Sequence, residues 1–345
     1  MTVQTTTTLG GTASHIQVGK VAHGLMMMTW TPNPVPDEIC FEAIKAGVDA
    51  MPAGVKMLLN SGEFYAQDFG TANLELVARF FEKYPEYADR VFLSVKGGGK
   101  RTGMPMPDSS PENLRASVEN INRVLRGTKK LDLFECARVD HNYPVEETTA
   151  VLAGLVKEGL FDHIGMSECS AESLRKGNSV HPIAAVEIEV SPWSIEPETK
   201  KVLEAAEELG IAVVAYSPLG RGFLTGEIKK FEDIPEGDMR RRFTRFNNPE
   251  IFKHNLTLVD KLKEIAAKKG VTPARLSIAF VASLGERVIP LPGSSNAKRT
   301  LENTYSADTK LTKDELDAIW GIINSYEVKG DRYYGADPKV MHLWG

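Results

Sequence analysis

The chain has 345 residues, 42% of them apolar and 25% charged, with a formal net charge of -5. That composition is ordinary for a soluble globular protein and leaves room for one large domain or two smaller ones. The acidic balance offers no basic face to nucleic acid or anionic lipid, and no apolar run is long enough to span a membrane.

Residues 1–17 are rich in Thr and Gly, lack the charged and apolar blocks of a secretory leader, and read as a flexible tail, so a cytoplasmic protein is expected. Residues 18–30 begin like a strand and run into a Pro-rich loop over 31–36. Helical spacing covers 37–50, an apolar strand 55–59 and an amphipathic helix 71–84. A strand over 91–95 precedes a helix that starts at Ser110-Pro111 and reaches about 126. The same alternation continues through strand 131–137, helix 145–158, strand 163–166, helix 170–176, strand 183–190, helix 198–209 and strand 211–216. After a long polar insertion come helices over 252–269 and 272–284, strand 287–291, helix 297–305 and a last helix over 313–325. Strands that are apolar without alternation are buried on both faces, as in a parallel sheet. Eight such strands, each followed by a helix, predict an α/β fold of the (β/α)8 barrel type in a single domain over 18–325. Residues 326–345 form an aromatic C-terminal tail (Tyr326, Tyr333, Tyr334, Trp344) expected over the active-site face. Cys40, Cys136 and Cys169 have no metal spacing and are expected as free buried thiols; no metal site is expected.

Active sites of such barrels are built at the C-terminal ends of the strands. Tyr65 ends the loop after strand 55–59, and Lys96 closes strand 91–95 before Gly97-Gly98-Gly99. A buried lysine is costly unless something uses it. A tyrosine beside it is expected to have its pKa drawn down, which makes it a usable proton donor. Asn60, Ala137, Ser167, Glu187, Tyr216 and Gly293 fall at the other strand ends. Tyr216-Ser217-Pro218-Leu219-Gly220-Arg221-Gly222 pairs an aromatic ring with backbone N–H groups that can approach phosphate, and Pro292-Gly293-Ser294-Ser295 leads into a helix N-terminus within reach of Arg299.

These anchors resemble an aldo-keto reductase: Gly62-Glu63-Phe64-Tyr65, Val95-Lys96, Gly165-Met166-Ser167-Glu168, Ala215-Tyr216-Ser217-Pro218-Leu219-Gly220 and Pro292-Gly293-Ser294-Ser295 with Glu302-Asn303. The resemblance covers about residues 18–316 and implies NADPH-dependent reduction of an aldehyde or ketone. It implies that Tyr65 is the general acid and that Lys96 lowers its pKa. Tyr216 would stack on the nicotinamide, and Ser167 and Glu187 (where the family often has Gln) would hold the carboxamide, with Glu168 beside Ser167 at the cofactor. Gly24 and Met28 would line the cofactor, with Ser217, Leu219, Gly220 and Gly222 around the pyrophosphate. Ser294, Ser295 and Arg299 would take the 2′-phosphate, and Glu302 and Asn303 the adenine. Asn296 stands where many relatives have a basic residue, and Lys298 lies next to Arg299.

Two positions depart from the family pattern: the usual catalytic Asp falls on Asn60 and the usual His on Ala137. Asn60 would accept a hydrogen bond from Lys96 without neutralising it, leaving the full ammonium charge to act on Tyr65. The altered pair is similar to a fungal branch of the family that reduces pyridoxal to pyridoxine; the alternatives are a general aromatic-aldehyde reductase or an NADPH-binding regulatory subunit like those of potassium channels. A small-molecule aldehyde is the expected partner, with oligomeric state open. Trp30 stands equally as substrate wall or core. Arg245, Phe246 and the aromatic tail are expected to touch substrate, Glu135 to point into the barrel with no partner evident, Arg138 and Asp140 to pair, and Arg240-Arg241-Arg242 to be solvated.

Overall fold

The computed structural model describes residues 2–100, 103–333 and 341–345, so Tyr334 of the aromatic tail lies outside the described residues. Residues 6–17, expected within a tail, instead belong with 18–19 to an antiparallel hairpin of β1 (Thr6–Thr8) and β2 (Gln17–Gly19). Eight parallel strands follow: β3 (His23–Gly24), β4 (Met57–Gly62), β5 (Val91–Gly97), β6 (Leu133–Cys136), β7 (His163–Ser167), β8 (Ala185–Glu189), β9 (Ala212–Tyr216) and β10 (Val288–Leu291). Each pairs with its neighbours in sequence order. The edges meet where Ala22 N donates to Pro290 O at 2.9 Å and Gly24 N to Pro292 O at 3.0 Å, with Gly24 and Gly293 bridged, so the sheet closes into a (β/α)8 barrel.

The helices are α1 (Met26–Thr29), α2 (Asp37–Asp49), α3 (Ala72–Lys83), α4 (Pro111–Leu125), α5 (Val145–Lys157), α6 (Ala171–Val180), α7 (Pro197–Leu209), α8 (Thr244–Asn247), α9 (Pro249–Lys269), α10 (Pro273–Ala282), α11 (Ala297–Thr304) and α12 (Lys313–Asn324). Their starts follow cap chemistry. Ser110, Asn248 and Thr272 each accept a backbone N–H just before a proline in the first turn. Asn248 therefore starts α9 three residues before the spacing predicted. Gly210 and Gly270 end α7 and α9 at φ +69° and +73°, a left-handed conformation that glycine adopts without steric cost.

Two apolar clusters divide the core. One lies between strands and helices. The other fills the lower barrel with Ala22, Leu58, Phe92, Leu133, Ala185, Ala212, Val214, Ile289 and Leu291, closed from below by Leu9, Ala13 and Val18 of the hairpin segment. These are inward strand positions, and alternation carries the same face upward to Asn60, Ser94, Lys96, Glu135, Ser167, Glu187, Glu189 and Tyr216. The apolar floor thus gives way to a polar layer at the C-terminal ends of the strands.

Candidate active site

Tyr65 and Lys96 meet in that polar layer. Both are buried, and the Lys96 ammonium lies 5.9 Å from the Tyr65 ring centroid. Gly62 makes this possible, because a Cβ there would stand 2.7 Å from the Tyr65 ring. The loop is pinned from behind by side chains. Ser61 Oγ donates to Asn73 Oδ1 at 2.7 Å, Asn73 Nδ2 to Thr29 Oγ1 at 2.7 Å, and Thr29 Oγ1 to Tyr65 O at 2.6 Å. Gly97 serves packing: a Cβ there would meet Ser117 Oγ at 2.5 Å and Phe134 at 2.6 Å. Trp30 packs against Tyr65, Phe64 and Phe69 at centroid distances of 5.7, 6.1 and 5.8 Å, forming an aromatic wall beside the hydroxyl.

Lys96 is not left with a free charge. Its Nζ donates to Asn60 Oδ1 at 2.9 Å, as expected, but also lies 2.5 Å from Glu187 Oε1 and 3.5 Å from Glu135 Oε1. Asn60 Nδ2 donates to Glu187 Oε2 at 2.7 Å. Glu187 is therefore tied to Lys96 and Asn60, and Glu135 finds the partner its sequence position left unnamed. Burial and the neighbouring Glu187 push Glu135 well above the usual carboxylate range, so it holds its proton. Burial opposes the Lys96 ammonium, yet Glu187, Tyr65 and Glu135 outweigh it and raise the lysine. The expected lowering of Tyr65 is overturned: burial pushes it up to about 12, Lys96 pulls down, and Glu187 and Glu135 push up again. Ala137 follows β6 with no polar side chain to offer.

A second charged cluster caps the rim above β7, β8 and β9. Tyr216 Oη donates to Glu168 Oε1 at 2.7 Å and shares a 2.7 Å hydrogen bond with Tyr333 Oη. Arg332 reaches Glu168 at 3.0 Å and Glu189 at 3.1 Å, and Arg221 lies 3.5 Å from Glu189. Burial works against the Glu189 carboxylate, but Arg332, Arg221 and Arg245 hold it below the usual range. Arg138 donates to Ala137 O at 2.6 Å and to Tyr333 Oη at 3.3 Å, while Asp140 accepts from Ser109 N and Asn142, so the two do not pair. Arg245 donates to Ser194 Oγ and Gly330 O, and Phe246 packs against Trp193 and Phe223; both are framework, not pocket wall. Arg240 and Arg241 are likewise bound, to Asp238 and Arg221 O and to Ile234 O. Sequence reasoning missed Arg221, Arg332 and Glu189. The available signal was Glu187-Ile188-Glu189: two inward carboxylates on one buried strand require cations.

Along the rest of the rim, Ser167 Oγ is buried without a hydrogen-bond partner. Ser217, Gly220, Arg221 and Gly222 have φ of +52°, +54°, +58° and +91°. They close two tight turns, in which Gly220 N donates to Ser217 O at 2.8 Å and Gly222 N to Leu219 O at 3.0 Å. Leu219 is half-buried there, Gly24 is bridged to Gly293 at the barrel seam, and Met28 of α1 is buried. Ser294 Oγ is engaged with Asn296 and Thr300, and Asn296, rather than either serine, caps α11 by accepting from Lys298 N and Arg299 N. His23 Nε2 lies 2.7 Å from Ser294 O, and burial lowers its pKa to about 4, so the ring is neutral and donates from Nε2. Ser295 is half-buried and Arg299 exposed, Glu302 accepts from Thr272, and Asn303 is buried. No group of three or more potential metal ligands occurs among the described residues, nor any helix long and apolar enough to cross a membrane.

A model of the Aldo/keto reductase family matches residues 20–324. A Schizosaccharomyces pombe protein named probable pyridoxal reductase 2 is 37% identical over 322 residues, 92% of this chain and 95% of that one. The aldo-keto reductase yakc [NADP(+)] of the same organism is 34% identical over 289 residues, 82% of this chain and 83% of that one. The solved glycerol dehydrogenase of Gluconobacter oxydans superposes with a TM-score of 0.78 at 24% identity, over 94% of this chain and 96% of that one.

Proposed function

The chain belongs to the aldo/keto reductase family, and from that premise we propose that it reduces an aldehyde to an alcohol with NADPH, with pyridoxal reduced to pyridoxine as the favoured reaction. The observation that carries the reading is the buried Tyr65–Lys96 pair beneath the aromatic wall of Trp30, Phe64 and Phe69. The rim fits the cofactor: Ser167 Oγ lacks a partner where a carboxamide would come, and glycines in the tight turns over 217–222 would let a pyrophosphate approach the backbone closely. Tyr216 would pack on the nicotinamide, with Glu168 beside it, and Ser217, Leu219, Gly220 and Gly222 would wrap the phosphates. Gly24 and Met28 would line the opposite wall. Ser294 would shape the last loop through its own hydrogen bonds, leaving Ser295 and Arg299 to meet a 2′-phosphate, with Lys298 adjacent and Glu302 and Asn303 at the adenine. The name of the NADP(+) relative supports that choice.

NADPH, when bound, supplies a hydride to the carbonyl carbon. Tyr65 gives its proton to the carbonyl oxygen, which is a stronger base than phenolate once the hydride has arrived. Lys96 stabilises the phenolate until water returns the proton. Ala137 provides no donor to the carbonyl oxygen; pyridoxal's own phenolic group, ortho to its aldehyde, takes over part of that task. The name of the S. pombe relative supports this substrate.

Following NADPH consumption with pyridoxal, beside an activated aromatic aldehyde and a blank, tests the reading. Turnover above the blank with pyridoxal is expected, with Tyr65→Phe lowering it about 10²–10⁴-fold. Turnover with the activated aldehyde alone would withdraw pyridoxal. NADPH binding without any turnover would replace the reductase by a cofactor-binding regulatory protein.

A further inference from the structure

The counter-charge of Lys96 comes from an unexpected strand. On β4, where the family's usual aspartate falls, Asn60 offers Lys96 an amide oxygen at 2.9 Å. The carboxylate that meets the ammonium at 2.5 Å is Glu187 of β8, where the family often has glutamine. Relative to the pattern that the resemblance implies, acid and amide have exchanged strands, and the 2.7 Å hydrogen bond from Asn60 Nδ2 to Glu187 Oε2 joins them across the barrel. We propose that Glu187, with Glu135 beside it holding the pocket's one shared proton, is a positioning pair that replaces the β4 carboxylate and sets how readily Tyr65 gives up its proton. This rests on the reductase reading above.

The second glutamate is built in. Glu135 stands directly opposite Lys96 in the β5–β6 register. Its space comes from Gly165 on β7, where a Cβ would lie 3.2 Å from Glu135 Oε2 and 2.7 Å from Leu133. Two carboxyl groups facing one ammonium away from water cannot both ionise cheaply, so one proton stays. The other groups around the pocket are neutral: Asn60 on β4, Ser94 on β5, and the thiols of Cys136 and Cys169, both raised by burial. Tyr65 thus feels Lys96, which favours its phenolate, and the glutamate pair, which opposes it and carries one charge while the shared proton is held. When Glu187 loses its charge, Glu135 loses its like-charged neighbour, releases its proton and takes over at Lys96.

The test is tyrosinate absorbance against pH, each protein measured against its own Tyr65→Phe counterpart, without substrate or cofactor. Wild type, Glu135→Gln and the exchange variant Asn60→Asp/Glu187→Gln should show no Tyr65 ionisation below about pH 11. Glu135→Gln/Glu187→Gln should bring ionisation into that range, about one to two units below wild type. The alkaline limb of the turnover profile should move in parallel. A Tyr65 that stays silent in the double variant overturns the proposal, as does an exchange variant that titrates like the double variant. Where the double variant does not fold, Glu187→Gln decides: because Glu135 takes over at Lys96, it should titrate like the exchange variant and wild type, and a Tyr65 that ionises lower in it overturns the proposal. Because the titration needs no turnover, a shifted Tyr65 in a protein inert toward aldehydes would keep this inference while sinking the reductase reading.

Discussion

At the scale of single residues, position matters as much as chemical type. Tyr65 sits beside Lys96 because Gly62 lacks a side chain; a methyl group there would sit 2.7 Å from the tyrosine ring. Gly62→Ala should therefore push the ring away from Lys96. Turnover should fall about 10²-fold while NADPH affinity, read by quenching of protein fluorescence, changes little. Equal losses in both would mean that the strand end, not the ring, had moved. The Tyr65–Lys96 pair was legible from the residues, and its surroundings were not. Charge balance at Lys96 depends on side chains from β4, β6 and β8, which lie far apart in the chain. Only register shows that Glu135 faces Lys96. The direction of the Tyr65 shift followed the same course. A lone ammonium lowers a phenol, but burial and two glutamates, invisible as neighbours in the sequence, raise it.

At the scale of elements, local chemistry carried most of the reading. Proline at helix starts and glycine at helix ends marked α4, α7, α9 and α10 within a few residues. Strand ends drifted more. β4 continues through Asn60, Ser61 and Gly62, because its polar residues are buried in the barrel instead of turning away as a loop. The hairpin of β1 and β2 was missed because Thr-rich, short strands resemble a loose tail, and Leu9 gives no hint of the barrel floor it closes. The rim cluster was missed because Arg332 meets Glu168 and Glu189 from more than 140 positions away. That cluster makes its own prediction. Arg332→Met would leave buried carboxylates uncompensated and should cost about 3–5 kcal/mol, read as a lower denaturant midpoint. A midpoint within experimental scatter of wild type would show that Arg221 and Arg245 suffice.

At the scale of the whole molecule, the barrel has a dry end and a charged end, and its seam is held by a histidine. His23 on β3 ties the loop after β10 through Ser294 O. Its pKa is depressed from 6.5 to about 4, so the folded state binds its proton less readily than the unfolded chain. The stabilisation is present in full above about pH 6.5 and is lost as pH falls toward about 4, amounting to about 3 kcal/mol. His23→Gln should lose that much less stability than wild type over the same interval in denaturant titrations. Parallel losses in both proteins would show that the ring is protonated at no cost.

The exchanged acid and amide bear also on how such a site changes over generations. Changing Asn60 to aspartate alone would set three carboxyl groups around Lys96; converting Glu187 to glutamine alone would leave it one. Either half-step would be a lethal mismatch in a pocket with no reserve. Glu135, able to keep or release a proton, supplies that reserve, so the two substitutions need not arrive together. The effect of each should depend on the residue at 135, and a lineage that lost that carboxyl would find both exchanges locked.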